Sequence, residues 1–169
     1  FDGFELAVRA IVGQQVSVKA ARTLMGRLVA AHGESMEWPG AGPAKLFPAA
    51  STIAALAPAE LARIGLVAAR ARAVHALASA VAAGAIELEP GADVEATMRA
   101  LVALPGIGDW TASYVAMRAL RWPDAFLAGD LVVRRAMGAG TAARAEKDSA
   151  AWRPWRAYAV MHLWKGATT

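Results

Sequence analysis

The sequence contains no cysteine, which excludes disulfide bonds, thiol catalysis and zinc or iron–sulfur sites with cysteine ligands. Its three histidines lie far apart in the sequence, so they do not predict a metal cluster. No stretch approaches the roughly 18 uncharged apolar residues of a membrane-spanning helix. No segment alternates apolar and polar residues for long enough to predict a sheet. These absences leave a helical protein without a membrane partner as the simplest prediction.

Hydrophobic residues make up 57% of the 169 residues, and alanine, the strongest helix former, supplies much of that fraction. This composition predicts an all-α fold with a substantial core, in one domain or two small helical lobes. The net charge of +4 is compatible with a nucleic acid partner but does not by itself identify one. The sequence shows no signal peptide, and the lack of cysteine fits an intracellular protein.

Apolar residues recur at helical spacing along most of the chain. The segment 34–48 is rich in proline and glycine and predicts a loop, and a polar patch follows residue 137. Asp2, Asp93 and Asp130 each precede an apolar helical pattern and are predicted N-caps, while Ser51 and Thr52 are predicted to cap a short helix. Helices are predicted over 4–32 with an interruption at Gly13, and over 53–56, 58–63, 67–81, 94–102, 110–120, 130–137 and 154–165.

The run Leu104-Pro105-Gly106-Ile107-Gly108 lies between two of the predicted helices, as in a helix-hairpin-helix. Pro105 fixes one backbone angle, and the glycines permit a tight turn and close approach to a ligand. The second helix would direct its free N–H groups at an anion, and Thr111 adds a hydroxyl that could meet a phosphate oxygen. The alternative is a plain corner between two helices, in which proline and glycine only end one helix and start the next.

Backbone carbonyls near this turn could also converge on a cation. Val102, Leu104 and Ile107 would supply the oxygens for a monovalent ion, sodium or potassium, that bridges to the phosphate. We expect no cofactor to be required beyond this possible structural ion.

Asp130 follows Gly129 and opens an apolar helix, which is typical of an ordinary N-cap. The same carboxylate, beside Phe126, Leu127 and Leu131, would be poorly hydrated. Such a group can stabilise positive charge that develops on a sugar ring or orient an attacking water. The two interpretations are compatible.

Aromatic residues form a second candidate feature. Trp110 and Tyr114 lie on one helical stripe, which is more typical of a core, but Trp110 also falls in the first turn beside the hairpin. With Trp164 near the end of the last helix, these rings could hold an unstacked base next to a carboxylate. Gln15 lies in a polar interruption of the first helix, and it faces either solvent or the gap that a flipped base leaves.

These segments together resemble the bacterial DNA-3-methyladenine glycosylase II family of the helix-hairpin-helix glycosylase superfamily. The resemblance extends from about residue 4 to 165 and rests on four ordered blocks, 4–17, 104–112, 126–130 and 154–164. It implies an all-α fold with two lobes. We expect one lobe over 34–135 with the hairpin at 94–120, and a second built from 1–33 and 136–169.

The resemblance implies a monofunctional enzyme of base excision repair. It would flip alkylated purines such as 3-methyladenine and 7-methylguanine out of duplex DNA and hydrolyse their N-glycosidic bond. Asp130 would be the catalytic carboxylate, Trp110, Tyr114 and Trp164 would line the base pocket, and Gln15 would occupy the position of the intercalating wedge. Gly106, Gly108, Thr111 and Arg134, together with Arg135, would contact DNA. We expect a monomer in the bacterial cytoplasm, associated with the nucleoid.

Bifunctional relatives in the superfamily carry a lysine nucleophile where this chain has Trp110, so no lyase step is expected.

Other features depart from the pattern of the glycosylase II family. Leu131 and Lys165 stand where a well-known member has tyrosines, which thins the predicted pocket. Members usually have an N-terminal α/β domain, and some are fused to an alkyl-transfer regulator. Because the chain begins with Phe1, we expect it to be part of a longer protein.

Two other functions stay open at this point. One is a glycosylase with a different base specificity, although Trp110 in place of lysine argues against the oxidised-base lyases. The other is a non-catalytic helix-hairpin-helix module that binds DNA or senses damage, against which the presence of Asp130 argues.

Overall fold

Helices dominate the chain, as its alanine content and apolar spacing predict. The computed structural model describes residues 2–37 and 45–167, and no helix in these ranges is long and apolar enough to cross a membrane. The helices are α1 (Gly3–Val12), α2 (Val18–His32), α3 (Ala50–Ala54), α4 (Pro58–Arg63), α5 (Ala68–Ala82), α6 (Val94–Val102), α7 (Asp109–Arg118), α8 (Leu131–Ala136), α9 (Ala142–Asp148) and α10 (Arg156–Gly166), with a 3-10 helix at Ser149–Trp152.

The predicted N-caps at three aspartates are confirmed. Oδ1 of Asp2, Asp93 and Asp130 accepts a backbone N–H three residues further on, at 2.6, 2.9 and 2.9 Å. The predicted interruption at Gly13 is confirmed as well, because α1 ends there and Ser17 caps the start of α2. These side chains accept backbone donors that have no partner within their own helix.

Four local predictions were wrong. The predicted loop 34–48 contains a two-stranded antiparallel sheet, β1 (Glu34–Ser35) with β2 (Lys45–Leu46), while its middle, residues 38–44, lies outside the described residues. Helix α3 begins at Ala50 without a side-chain cap, so Ser51 and Thr52 do not cap it. Helix α10 begins two residues later than predicted. Helix α9 falls in the supposed polar patch, where a single buried residue, Ala145, gives no apolar period to detect.

The buried side chains form two hydrophobic cores. The first collects residues from α1 to α7, among them Val8, Ile11, Leu28, Val74 and Leu101. The second collects residues from α7 to α10 and the intervening segments. Helix α7 belongs to both, because Ala112 and Val115 lie in the first core whereas Ala116 and Met117 lie in the second.

The helices that contribute to each core differ from those of the expected pair of lobes. We expected residues 1–33 to pack with 136–169, yet α1 packs against α5 and α7, and its side chains share a core with α3 to α6. The reason is that Phe4, Val8 and Ile11 form one apolar stripe, which α5 and α7 cover. The two cores therefore meet along α7.

A buried ion-pair network fixes α10 to the segment before α8. The Arg156 guanidinium donates to Asp124 from Nε at 2.7 Å and from Nη2 at 2.9 Å, and its Nη1 donates to Glu146 at 2.6 Å. Arg153 adds a second cation at 2.9 Å from Asp124. Burial lowers the pKa of Arg156, but the hydrogen bonds to Asp124 and Glu146 outweigh it and raise that pKa overall. The network fixes the position of Asp124, which precedes Asp130 by six residues in the sequence.

Replacing Arg156 tests how much this network contributes to stability. Arg156→Met keeps an apolar stem but leaves the Asp124 carboxylate buried with Arg153 alone, so we expect a loss of about 3–5 kcal/mol in the free energy of unfolding. Urea denaturation followed by circular dichroism measures the loss. Arg99→Ala, in the exposed Arg99–Glu95 pair, is the control and should leave the unfolding curve nearly unchanged. Equal effects of the two substitutions would contradict a stabilising role of the buried network.

Candidate active site

The hairpin forms as the sequence predicts, with α6 and α7 joined by a short turn. Gly106 has φ +80°, in the left-handed region that favours glycine, and Ile107 is buried in the first core. Gly108 is the exposed N-cap of α7 and offers no side chain to the first N–H groups of that helix. These donors are therefore open to an outside acceptor. Asp109, exposed beside them, adds a negative charge that weakens their attraction for an anion.

The carbonyls proposed for a cation lie at the end of α6 and in this turn. The Leu104 carbonyl accepts the Ile107 N–H at 3.3 Å, and a carbonyl oxygen has a second lone pair for another partner. Val102 and Ile107 would supply the other two oxygens, and the binding of a monovalent ion here stays a prediction. In the described ranges no group of three or more histidine, aspartate or glutamate side chains could hold a metal ion.

Asp130 lies where three helices converge. Its Oδ1 accepts the Val133 N–H at 2.9 Å and the Trp164 indole Nε1–H at 3.2 Å. Its Oδ2 accepts the Trp110 indole Nε1–H at 2.9 Å. A carboxylate has about four acceptor positions, so these three bonds fix the direction of the group and leave room for one more donor.

The three predicted aromatic residues form a continuous surface. The Trp110 and Tyr114 rings are stacked, with centroids 5.3 Å apart and an interplanar angle of 10°. The Tyr114 and Trp164 centroids are 6.4 Å apart at 42°. The sequence indicated this grouping, but it did not indicate that both indoles would also donate to Asp130. Arg118, one turn beyond Tyr114, was missed as well, and its guanidinium carbon lies 6.0 Å from the Tyr114 centroid and 5.9 Å from that of Trp164.

An open cleft of about 920 Å³ brings most of these parts together. The hairpin contributes Gly106 and Gly108, α7 contributes Trp110 and Tyr114, and the residues on either side of Asp130 complete one wall. Leu131, at one of the two positions where we noted a tyrosine in a family member, is 49% exposed at this wall. A side chain smaller than tyrosine thus borders the cleft.

The loop between α1 and α2 also lines the cleft. Gln15 is exposed there and has φ +52°, a left-handed conformation that is uncommon for a residue other than glycine. Its neighbour Gln14, which sequence reasoning did not single out, donates from Nε2 to the Gly106 carbonyl at 3.2 Å and to the Thr111 hydroxyl at 3.0 Å. No local pattern could reveal this contact, because its partners lie 92 and 97 positions away.

Two predicted DNA contacts are placed differently from our expectation. Thr111 is only 3% exposed and its hydroxyl accepts the Gln14 amide, so the side chain lies inside the fold and not on the outer side of the hairpin. Arg134 is half-buried on α8, with its Nε enclosed and without a hydrogen-bond partner in the described structure. Neither Arg134 nor the exposed Arg135 lines the main cleft, and Arg135 borders a separate groove with His162.

Comparison with known proteins decides the family. The family model of the HhH-GPD superfamily of base excision DNA repair proteins matches residues 8–153. The chain belongs to this superfamily. It is 44% identical over 167 residues to the probable bifunctional transcriptional activator/DNA repair enzyme AlkA of Mycobacterium tuberculosis, and 37% identical over 164 residues to DNA-3-methyladenine glycosylase 2 of Escherichia coli. These matches cover 96% of this chain but only 33% and 57% of the two relatives.

A solved structure shows the same fold. The DNA-3-methyladenine glycosidase of Bacillus halodurans aligns with a TM-score of 0.78 and 26% sequence identity, over 100% of this chain and 77% of that chain. The predicted all-α helix-hairpin-helix glycosylase fold is therefore confirmed, and so is the resemblance on which it rested.

The geometry of Gly106 gives a prediction about stability. A Cβ added there would lie 3.1 Å from the Ala73 Cβ, and the φ of +80° is unfavourable for alanine. Gly106→Ala should therefore cost more than the ~1 kcal/mol typical of an L-residue in the left-handed region. The matched control is Gly84→Ala, with φ +70° and nothing within 4 Å of the added Cβ, so it carries the backbone cost alone. Thermal denaturation compares the two, and equal shifts in melting temperature would contradict close packing of the turn on α5.

Proposed function

We propose that this chain is the catalytic region of a monofunctional DNA glycosylase that excises alkylated purines from duplex DNA. The observation that carries the proposal is the Asp130 carboxylate, held by two indole N–H groups between Gly129 and Leu131, which line the cleft that the hairpin borders. The names of the relatives, DNA repair enzyme and DNA-3-methyladenine glycosylase, support the same substrate class. We further propose that it acts as a monomer, in the bacterial cytoplasm.

The hairpin would hold the DNA backbone. Its open N–H groups at Gly108 and the start of α7 suit a phosphate oxygen, and the carbonyls of Val102, Leu104 and Ile107 could add a bridging monovalent cation. Such contacts carry no sequence information, which suits an enzyme that must meet lesions in any context. Gln15, exposed in the lining of the same cleft, would fill the space that the flipped nucleotide leaves.

The aromatic surface would receive the flipped base. Removing a base from the stack costs about a few kcal/mol, and the cost is lower where the base is damaged. An N-alkylated purine carries a positive charge, and an aromatic face attracts a cation by about 0.5–2 kcal/mol. The Trp110 and Tyr114 rings with Trp164 could thus select cationic purines over neutral ones.

Asp130 would then assist hydrolysis. As the N-glycosidic bond breaks, the cationic base takes the bonding electron pair and leaves as a neutral molecule, while positive charge develops on the sugar. A fixed carboxylate stabilises that charge without the need to reorganise. Water adds its oxygen to the sugar carbon, and its proton passes to the carboxylate or to solvent. Because the leaving base is already activated, no general acid is needed to protonate it.

Trp110 supports hydrolysis without a lyase step. It occupies the position where bifunctional relatives have a lysine, and an indole cannot form a Schiff base with the sugar. Its N–H instead directs Asp130.

The two indole N–H groups of Trp110 and Trp164 favour an enzyme over a damage sensor, since a sensor would not need a carboxylate held in a fixed direction.

Replacement of the carboxylate tests the chemical step. Asp130→Asn retains an oxygen that can cap α8 but removes the negative charge, so excision should fall at least about 100-fold while binding to DNA changes little. Single-turnover release of bases from methylated duplex DNA, separated by chromatography, measures it. Asp93→Asn, at another N-cap aspartate, is the matched control and should retain full activity. Unchanged excision by Asp130→Asn would refute the mechanism.

Removal of one ring tests the base pocket. Trp164→Ala deletes both a ring of the aromatic surface and a donor to Asp130, so we expect release of 3-methyladenine to fall about tenfold to a hundredfold. The control is Trp155→Ala, since Trp155 is 59% exposed and its ring contacts Tyr158 edge to face instead. If both variants released alkylated bases at the rate of the unaltered protein, the pocket assignment would be wrong.

A further inference from the structure

We infer that Gln14 is a positioning residue that fixes Gln15 relative to the hairpin turn. The inference rests on the proposed function for its consequence in DNA, but the contacts that carry it exist in the protein alone. It assigns a role to a residue whose side-chain amide bonds to the hairpin and to Thr111.

The first support is the pair of hydrogen bonds from the Gln14 amide. Nε2 donates to the Gly106 carbonyl at 3.2 Å and to the Thr111 hydroxyl at 3.0 Å. Gly106 lies in the turn and Thr111 in the first turn of α7, so one amide group joins both sides of the phosphate-facing segment. Thr111 is buried and thus gives a fixed anchor.

The second support is the backbone at the peptide between Gln14 and Gln15. The Arg70 guanidinium, from α5, donates to the Gln14 carbonyl oxygen and so holds the plane of this peptide. The next rotation along the chain is φ of Gln15, which has the left-handed value of +52°. A non-glycine residue keeps such a conformation only where its surroundings determine it. Here Gln14 provides the constraint on Gln15, because its carbonyl is bonded to α5 and its side chain is bonded to the hairpin.

The chemistry requires an amide at this position. Nε2 has two hydrogens, one for each acceptor, whereas a glutamate oxygen would face the Gly106 carbonyl with no donor to offer. Methionine would fill a similar volume without donating to either group. Gln14→Met thus removes the hydrogen bonds with little loss of packing.

The consequence is a fixed spacing between two parts of the DNA-binding surface. The hairpin would hold a phosphate and Gln15 would enter the base stack, and Gln14 sets the distance between them. Without Gln14 the hairpin still binds DNA, but Gln15 meets the stack in the wrong place. The defect should therefore fall on base flipping and not on affinity for undamaged duplex.

The first experiment tests the link in the protein without DNA. Hydrogen–deuterium exchange of the unaltered chain is compared with that of Gln14→Met, and peptides covering 13–17 and 105–111 should both exchange faster in the variant. Ser79→Ala is the matched control, because it also removes one half-buried side-chain bond to a backbone carbonyl, at His75, but lies outside the cleft lining. Unchanged exchange in both peptides of Gln14→Met would overturn the inference.

The second experiment tests whether Gln14 acts through Gln15. Gln14→Met and Gln15→Ala are each expected to slow single-turnover excision about tenfold, because small misplacements are costly. The double variant should be no slower than the slower single variant, since coupled residues are not additive. Multiplicative losses would mean independent roles and would overturn the inference. Binding of Gln14→Met to undamaged duplex, measured by fluorescence anisotropy, should stay within about twofold of that of the unaltered chain, and a large loss there would contradict a role in spacing.

The two experiments separate this inference from the proposed function. If the unaltered chain released no alkylated base, the proposed function would fail, whereas the exchange experiment would still decide whether Gln14 joins the two segments.

Discussion

The requirement that α7 pack on both sides governs the arrangement of the whole site. Ala112 and Val115 are fully buried in one core, and Ala116 is fully buried in the other. Small side chains let both sets of helices approach this axis closely. The N-terminus of α7 then has to emerge where the two cores meet, with the hairpin turn before it and Trp110 in its first turn. The cleft is therefore a consequence of how the cores share one helix, and Trp110 and Tyr114 line it from α7, where they also pack against the second core.

Positioning of Asp130 depends on contacts that are distant in sequence. Trp110 directs one carboxylate oxygen from α7, and Trp164 reaches the other from α10. Helix α10 is placed by Arg156, whose guanidinium binds Asp124 in the segment leading to Asp130, and by the Ala157 N–H, which donates to the Pro123 carbonyl at 2.9 Å. The direction of the carboxylate is thus set by the same packing that completes the second core.

The sequence predicted those parts of the site that depend on local chemistry. Proline and glycine predicted the hairpin, an aspartate before an apolar run predicted the N-cap, and helical spacing placed Trp110 beside Tyr114. It could not predict the grouping of α1 with α5 and α7, because an apolar stripe shows that a face is buried but not which helix covers it. The role of Gln14 was hidden for the same reason, since its partners lie 92 and 97 positions away. Thr111 was misjudged because a hydroxyl near the hairpin fits an inward contact as well as a phosphate.

Asp124 and Asp130 lie six positions apart but differ in the charge of the groups that donate to them. This difference separates a structural role from a chemical one. Asp124 is bound by Arg156 and Arg153, so cations compensate its charge and the group serves to join helices. Asp130 accepts its three hydrogen bonds from neutral donors, two indoles and one backbone amide, which direct the carboxylate without contributing a positive charge. Neutral donors stabilise a carboxylate less than a guanidinium does, so more of its attraction stays available to a cation in the cleft. Under the proposed function, such a carboxylate would stabilise a cationic purine, and then a sugar that becomes positive as the bond breaks.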